Sequence, residues 1–298
     1  MPLRAAFPAA PPTLRPVLRE LAYAKLNLVL HVGRPRDDGM HPICSLVASI
    51  DLADELTAEP NEAGGDTVEC RGVAGDNLAA RALAEFRSRT GTELPPLAIT
   101  IEKRIPVAAG LGGGSADAAA TLRIANRLAG DPLEPEELLR LAAELGSDVP
   151  AQLEPGHALV QGTGEQIEHV SVPPFFAVLL PDRNGLSAAA VYTELDRLEG
   201  TRSELDPEPL RRVATSPLAE IAASLDNDLQ PAALSLRPEL RERLDALAAA
   251  GAFGAAVSGS GPTCFGLFED LGAAQAAAAR IDGAIPAVLR GLSGQRLP

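Results

Sequence analysis

The 298-residue sequence has few of the residues that mark several large classes of protein. Lys25 and Lys103 are its only lysines, tryptophan is absent, and 26 basic residues stand against 40 acidic ones, which gives a net charge of −14. Sequence-independent binding to nucleic acid or to anionic lipid requires clustered positive charge. The charge balance therefore predicts a protein that binds neither nucleic acid nor a membrane surface.

Cysteine and histidine are also scarce. The three cysteines, Cys44, Cys70 and Cys264, are widely spaced and form no C-x-x-C pair. A disulfide framework and a zinc site are therefore not expected, and a reducing cytoplasm fits this usage best. The four histidines show no ligand spacing such as H-x-x-x-H. The sequence thus predicts a cytoplasmic protein without a metal-ligating cluster.

Long apolar runs are missing as well. Residues 1–16 are interrupted by proline and arginine, which does not match a secretory signal, and we expect them to form a disordered arm. The longest uncharged run, residues 246–268, contains Gly, Ser, Pro and Thr and does not match a membrane span. Hydrophobic residues at 46% and charged residues at 22% are instead typical of a globular protein with a large buried core.

The order of the predicted elements favours an α+β fold, because strands and helices are mixed without strict β-α-β alternation. Strands are predicted at residues 21–32, 46–56, 97–101, 176–180, 253–257, 263–268 and 284–289, and helices at residues 77–89, 115–128, 134–145, 188–198, 238–250 and 273–281. A proline-rich composition near residue 170 predicts a boundary between domains at 17–170 and 171–298. Residues 200–217 are polar, and we expect a surface excursion with few buried anchors.

A glycine-rich stretch, residues 106–118 (PVAAGLGGGSADA), joins a predicted strand to a predicted helix. Free N–H groups at the helix start, from about Gly113 to Ala116, together with the Ser115 hydroxyl, predict an anion site suited to phosphate. A plain flexible turn is the alternative. The stretch is not a Walker A loop, because no lysine follows its last glycine. It fits a dinucleotide fingerprint poorly, because Asp131 follows a helix rather than ending the next strand.

Four further polar residues are candidates for the functional site mainly because they occur together with the glycine-rich stretch and with one another. Lys25 lies on the first predicted strand and shares a face with Asn27. Asp148, in L-G-S-D-V-P, and His41, in D-G-M-H-P, lie in predicted turns. Each of them, taken singly, is typical of a solvated or turn residue. A late S-G-S-G-P-T loop (residues 258–263) offers more free N–H groups and hydroxyls, which suit binding an anion or bracing the first loop.

Three segments in this order resemble the motifs of the GHMP kinases, which are named after galactokinase, homoserine kinase, mevalonate kinase and phosphomevalonate kinase. They are A-K-L-N-L (24–28), P-V-A-A-G-L-G-G-G-S-A-D-A (106–118) and V-S-G-S-G-P-T (257–263). Further segments resemble the branch of the family that phosphorylates 4-diphosphocytidyl-2-C-methyl-D-erythritol in the non-mevalonate route to isoprenoid precursors: D-D-G-M-H-P (37–42), G-D-N-L (75–78), K-R-I-P (103–106), L-G-S-D-V-P (145–150) and G-T-G-E (162–165). The resemblance runs from about residue 22 to 290.

The resemblance implies a two-domain fold, with an N-terminal domain like ribosomal protein S5 domain 2 and a ferredoxin-like C-terminal domain. It also implies ATP and Mg²⁺ as cofactors, transfer of the ATP γ-phosphate to the 2-hydroxyl of that small-molecule substrate, and a monomer or weak homodimer. Three alternatives stay open: a GHMP kinase of the homoserine or mevalonate type, a non-catalytic ATP-binding protein on the same fold, and, least favoured, a dinucleotide-dependent oxidoreductase.

The same resemblance assigns roles to residues. Asp148 matches the catalytic base and Lys25 the catalytic lysine, while Asn27, His41 and Tyr192 match substrate-binding positions, the last two at the cytosine base. The implied ATP-binding residues are Asn77, Lys103, Pro106, Val107, Ala108, Ala109, Gly110, Leu111, Gly112, Gly113, Gly114, Ser115 and Ala116. The sequence departs from the family pattern at Met40, where an aromatic residue is usual, at Tyr23, where proline is usual, and at Ala151-Gln152, where two bulky apolar residues are usual.

Overall fold

The computed structural model describes residues 17–71, 77–182 and 184–289. The predicted arm at residues 1–16 lies outside the described residues, as do Gly75 and Asp76 of the G-D-N-L segment. The strands are β1 (Leu18–Val32), β2 (Ile43–Pro60), β3 (Thr67–Cys70), β4 (Leu97–Glu102), β5 (His157–Gly162), β6 (Gln166–His169), β7 (Phe176–Leu180), β8 (Asp226–Asn227), β9 (Ala255–Val257), β10 (Cys264–Phe268) and β11 (Ile285–Val288).

The helices follow the same chain order. They are α1 (Leu78–Thr90), α2 (Gly113–Leu128), α3 (Pro135–Leu145), α4 (Val149–Leu153), α5 (Ala188–Arg197), α6 (Glu208–Ala214), α7 (Leu218–Ala223), α8 (Gln230–Leu236), α9 (Leu240–Ala249) and α10 (Leu271–Ala278). Their ends follow local chemistry: at α1 the Asn77 side chain accepts a hydrogen bond from the Ala79 N–H at 2.9 Å, and Gly91 ends the helix with φ 58°.

The long strand β2 organises the first sheet. β1 runs antiparallel along one edge of β2, while β4 and β5 pair with its two halves on the other edge. β3 and β6 extend the sheet beyond β4 and β5, and the short β8 runs parallel to β1 on its outer side. Because β8 comes from much later in the chain, the strand that carries Lys25 is flanked by both halves of the sequence.

The second sheet has the order β11-β7-β10-β9, and its paired strands are antiparallel. Some of its buried residues share one hydrophobic cluster with the first sheet: Leu26 and Leu46 pack in the same cluster as Phe265 and Leu267. Another cluster joins the first sheet to α1, α2 and α3. The shared cluster holds the loops at the ends of the two sheets in fixed positions relative to each other.

The described elements confirm the α+β class and the strands and helices that were predicted, with ends shifted by a few residues. Residues 200–217 lie mostly at the surface with few buried anchors, as expected, but they also contain the unpredicted helix α6, which buries Leu210 and Ala214. Strand β5 was not predicted, since its short apolar run carries no clear alternation of apolar and polar residues. The domain boundary near residue 170 stays a prediction.

Candidate active site

The predicted catalytic pair comes together in space. The Lys25 Nζ lies 3.5 Å from the Asp148 Oδ2, and the lysine side chain is only 6% exposed whereas that of the aspartate is 44% exposed. β1 carries Lys25 into the interior, and Asp148 precedes the first residue of α4. The arrangement thus joins a fixed, buried cation to a carboxylate that is open to a ligand.

A short chain of hydrogen bonds holds the lysine. Lys25 donates from Nζ to Asn27 Oδ1 at 2.6 Å, Asn27 donates from Nδ2 to Ser45 Oγ at 2.9 Å, and Ser45 donates to the Val29 carbonyl at 2.7 Å. All of these side chains are buried. Hydrogen bonds to a charged group are stronger than neutral ones, so this chain fixes the direction of the ammonium group.

The glycine-rich loop passes directly over Lys25. The Lys25 N–H donates to the Leu111 carbonyl at 3.0 Å, and a Cβ on Gly112 would lie 2.9 Å from the Lys25 Cγ. Gly112, with φ 71°, is the residue before α2. The N–H groups of Gly113, Gly114 and Ser115 therefore lie at the helix start without intrahelical carbonyl partners. The free N–H groups were predicted to extend to Ala116, which is one residue too far, because the Ala116 N–H donates to the Gly112 carbonyl at 2.9 Å.

The late S-G-S-G-P-T loop braces this glycine loop. Ser258 donates from Oγ to the Gly110 carbonyl at 3.0 Å, and the Thr263 N–H donates to the Ala109 carbonyl at 3.2 Å. The approach is close enough to need glycine, because a Cβ on Gly110 would lie 2.3 Å from the Ser258 carbonyl oxygen and the residue has φ 76°. The bracing role that the sequence suggested for this loop is confirmed.

Lys103 lies below the start of α2 in a buried cluster of charges. Its Nζ donates to Asp54 Oδ2 at 2.5 Å and to Asp117 Oδ2 at 2.8 Å. Burial alone lowers the pKa of Lys103, but the two carboxylates outweigh it and raise the pKa above its usual value. Burial and, after the opposing effect of Lys103, the nearby Asp54 raise the pKa of Asp117 to about 7.

A cavity of about 330 Å³, the loop cavity, opens above this cluster. Its lining contains the predicted ATP-binding residues except Ala116, together with three that were not predicted: Cys70, Leu78 and Asp117. The Asp117 Oδ1 is buried and has no hydrogen-bond partner within the described residues. The loop cavity therefore offers free N–H groups at one side and an unpaired carboxylate oxygen at the other.

A second cavity has a volume of about 390 Å³ and is here called the aromatic cavity. Ser147, the neighbour of Asp148 in the chain, is one of its lining residues. The His41 and Tyr192 rings line it with centroids 5.1 Å apart and planes tilted by 40°. Burial and, after it, the negative charge of Asp148 raise the pKa of Tyr192 to about 12. Met40, at the position of the departure from the family pattern, lines the same cavity and is 45% exposed.

A larger cavity of about 660 Å³ lies between α2, α3 and β6. Arg123, Leu138 and His169 are among its lining residues, and none of the predicted site residues is. Chemistry is therefore assigned to the two smaller cavities, where the charged and aromatic candidates converge.

Several residues of the site were not predicted from the sequence. Asp54 and Asp117 look like ordinary strand and helix carboxylates, and only their approach to Lys103 reveals the buried cluster. Gln152 was noted only as a departure from the family pattern. In the structure it is buried, and its Oε1 has no hydrogen-bond partner among the described residues. Asp196 has no motif around it, and contact with His41 alone identifies it.

Within the ranges that the structure describes, no three His, Cys, Asp or Glu side chains are grouped so that they could hold a metal ion. In the same ranges, every helix is too short or too polar to span a membrane. Cys44, Cys70 and Cys264 are free thiols.

Comparisons with known proteins agree with this geometry. The profile for the GHMP kinases N terminal domain matches residues 77–156, and the profile for the GHMP kinases C terminal domain matches residues 211–286. A 4-diphosphocytidyl-2-C-methyl-D-erythritol kinase from Anaeromyxobacter sp. (strain Fw109-5) is 45% identical over 280 residues, which cover 89% of this chain and 86% of that protein. The protein of the same name from Pelotomaculum thermopropionicum is 40% identical over 269 residues, covering 89% of this chain and 93% of that protein.

Solved structures show the same relationship. A crystal structure of 4-(cytidine 5′-diphospho)-2C-methyl-D-erythritol kinase matches with a TM-score of 0.76 at 34% identity and covers 92% of this chain and all of its own. Homoserine kinase from Cytophaga hutchinsonii shares the fold, with a TM-score of 0.67 at 20% identity, covering 97% of this chain and 98% of its own. From the two matched profiles and these relatives, the chain belongs to the GHMP kinase family and has its two-domain α+β architecture.

Proposed function

We propose that this protein is an ATP-dependent kinase that transfers the γ-phosphate of ATP to the 2-hydroxyl of 4-diphosphocytidyl-2-C-methyl-D-erythritol. The observation that carries the proposal is the position of the Lys25–Asp148 pair, which lies between a phosphate-binding loop and a cavity lined by aromatic rings. The relatives with this substrate in their names are 40–45% identical over most of the chain, which supports the same reaction.

Asp148 is the proposed base. Its side chain is nearly half exposed, so an acceptor hydroxyl has access to a carboxylate oxygen. The hydroxyl proton passes to that oxygen as the hydroxyl oxygen forms its bond to the γ-phosphorus, and the bond from that phosphorus to the β-bridging oxygen breaks, which leaves ADP.

Lys25 stabilises the negative charge that spreads over the transferred phosphoryl group. Because Asn27 Oδ1 accepts from its Nζ and the residue is buried, the ammonium group is in place before the ligand arrives. The transition state of phosphoryl transfer is loose, so the protein contributes mainly positions and charges. Asn27, which was predicted to touch substrate, acts in this proposal chiefly by orienting Lys25.

The loop cavity is the proposed ATP site. The N–H groups of Gly113, Gly114 and Ser115 at the start of α2 face phosphate oxygens, aided by the helix dipole. Asn77 and Lys103 line the same cavity and are the proposed contacts to the nucleoside part of ATP. A chain with a net charge of −14 binds two polyanions in this proposal through local N–H groups and a few fixed cations.

Mg²⁺ in kinases is commonly held by substrate phosphates together with one or two protein oxygens. The residues present fit such an ion: the Ser115 hydroxyl lines the loop cavity, and the Asp148 carboxylate is 44% exposed, so these two side chains would hold it. When bound, such an ion would supply positive charge that offsets the negative charge of the phosphates.

The aromatic cavity is the proposed site for the cytosine base. His41 and Tyr192 offer two rings, and Met40 supplies a polarisable side chain in place of the usual aromatic residue. A homoserine or mevalonate acceptor carries no base to fill this cavity, which is the reason that we prefer the cytidine-bearing substrate. A cytoplasmic location, and a monomer or weak homodimer, stay predictions.

A coupled assay of ADP release tests the proposal, with ATP, Mg²⁺ and each of three acceptors: 4-diphosphocytidyl-2-C-methyl-D-erythritol, homoserine and mevalonate. We expect turnover with the first acceptor and little above background with the others. Faster turnover with homoserine or mevalonate would overturn the assignment of the substrate. ATP binding by calorimetry without transfer to any acceptor would instead support a non-catalytic ATP-binding protein.

A further inference from the structure

Within the described lining of the aromatic cavity, Asp196 is the only acidic residue, and lysine and arginine are absent. It lies on α5 four residues after Tyr192, so both side chains are on the same face of the helix. Its Oδ1 lies 2.9 Å from the Nε2 of His41, whose side chain is only 7% exposed. The imidazole is thus packed against Tyr192 and held by a carboxylate.

This contact decides which nitrogen of His41 carries the proton. A carboxylate oxygen accepts hydrogen bonds, so the imidazole donates from Nε2–H to Asp196 Oδ1. The remaining nitrogen, Nδ1, is then an acceptor, and the described residues provide no donor to it. The half-exposed carboxylate of Asp196 lies beside this imidazole. Together, the two side chains favour hydrogen-bond donors of a ligand and disfavour its carbonyl oxygens.

We propose that Asp196 is a specificity-determining positioning residue, which fixes His41 as a hydrogen-bond acceptor and so selects a pyrimidine bearing an exocyclic amine over one bearing a carbonyl there. Cytosine has the amine, and uracil has a carbonyl at the same ring position. The inference rests on the proposed function, because it assumes that a pyrimidine base occupies the aromatic cavity.

The substitution Asp196→Asn tests it with little change of shape. An asparagine amide that turns its Nδ2 toward His41 Nε2 moves the ring proton to Nδ1 and makes that atom a donor, and Asp196→Leu removes the acceptor altogether. We expect wild type to prefer the cytidine-linked acceptor over its uridine-linked analogue. In Asp196→Asn we expect this ratio of kcat/KM values to fall roughly 10-fold or more, mostly through KM. The reason is that His41 then no longer disfavours the carbonyl group of the uridine-linked analogue.

Two matched variants separate the proposed role from a structural one. Asp37→Asn removes an exposed carboxylate from the neighbouring turn and leaves His41 untouched, and we expect it to keep the wild-type ratio. Asp196→Glu keeps an acceptor at this position, and we expect it to restore most of the preference. Thermal melting of each variant checks that it is folded.

Nitrogen-15 NMR of His41 reads the tautomer without any turnover. We expect protonation at Nε2 in wild type and a shift of the proton toward Nδ1 in Asp196→Asn. If neither acceptor is phosphorylated, the proposed function fails, and titration with CDP and UDP still tests the selection by the base. A wild-type His41 ring protonated at Nδ1, or a folded Asp196→Leu variant with an unchanged ratio, would overturn the inference itself.

Discussion

The ammonium group of Lys25 and the carboxylate of Asp148 lie 3.5 Å apart in very different surroundings. The lysine is enclosed and already hydrogen-bonded to Asn27, whereas the aspartate faces the opening that an acceptor would use. The pair therefore combines a fixed cation with an accessible proton acceptor, and replacing either member removes a different contribution to the same proposed step.

Replacing Lys25 with alanine should lower kcat by on the order of 10²–10³, because a preorganised, buried positive charge is lost. Asp148→Asn should lower kcat by a similar factor while ATP still binds, since asparagine keeps the shape and loses the proton acceptor. Single-turnover ADP release and calorimetric ATP binding measure the two effects. Glu154→Gln, at the exposed end of α4, serves as the control and should keep near-wild-type turnover. Near-normal kcat in folded Lys25→Ala or Asp148→Asn would remove that residue from the catalytic pair.

Two glycines of the glycine-rich stretch, Gly110 and Gly114, predict a contrast in stability. Gly110→Ala places a Cβ within 2.3 Å of the Ser258 carbonyl oxygen at φ 76°, so it should destabilise the fold by at least about 1–3 kcal/mol. Gly114→Ala meets no atom within 4 Å and lies in α2, so it should leave stability equal or slightly higher. Urea unfolding of both variants measures the difference. Equal midpoints would show that the contact between the loops is not tight in solution.

Asp117 predicts a dependence of stability on pH. Burial raises its pKa to about 7 in the folded protein, so between roughly pH 4 and 7 the folded state binds more protons at this site than the unfolded state. Its contribution to stability is present below the unfolded pKa and is lost as the pH rises through about 7. The free energy of unfolding of wild type should therefore fall across this window relative to Asp117→Asn. Parallel curves for the two proteins would contradict the shift.

His157 predicts the opposite slope. Burial lowers the pKa of this imidazole to about 4, so the unfolded state binds more protons between roughly pH 6.5 and 4. Stability should fall as the pH is lowered through this window, by on the order of 2–3 kcal/mol. His157→Gln should flatten the curve, whereas His169→Gln, at a partly exposed ring paired with Glu154, should not. A steep acid limb that survives in His157→Gln would assign the loss of stability to other groups.

Much of the fold could be predicted because local patterns and tertiary packing agree. The apolar alternation of β1 and the strong helix formers of α2 are visible in the sequence, and so is the glycine loop between strand and helix. β5 and α6 could not be predicted, since their short segments become ordered only by packing against β2. Leu210, for example, is buried in the cluster that both sheets share, and nothing near it in the sequence indicates that partner.

The same division holds for the site. Lys25, Asn27 and the glycine loop occur in recognisable motifs, and the structure brings them together. The carboxylates of Asp54, Asp117 and Asp196 act through partners that are distant in the chain, and spacing alone gives no sign of such partners.

The bracing of the glycine loop has a consequence for the order in which the protein can become functional during synthesis. Ser258 and Thr263 hold Gly110 and Ala109, and Asn227 donates to the Val257 and Gly259 carbonyls at 2.8 Å while its strand pairs with β1. A nascent chain that has emerged only through α5 already contains Lys25, Asp148 and the whole glycine loop. It still lacks Ser258 and Thr263, so we expect the glycine-rich loop to reach its final conformation only after almost the entire polypeptide has left the ribosome.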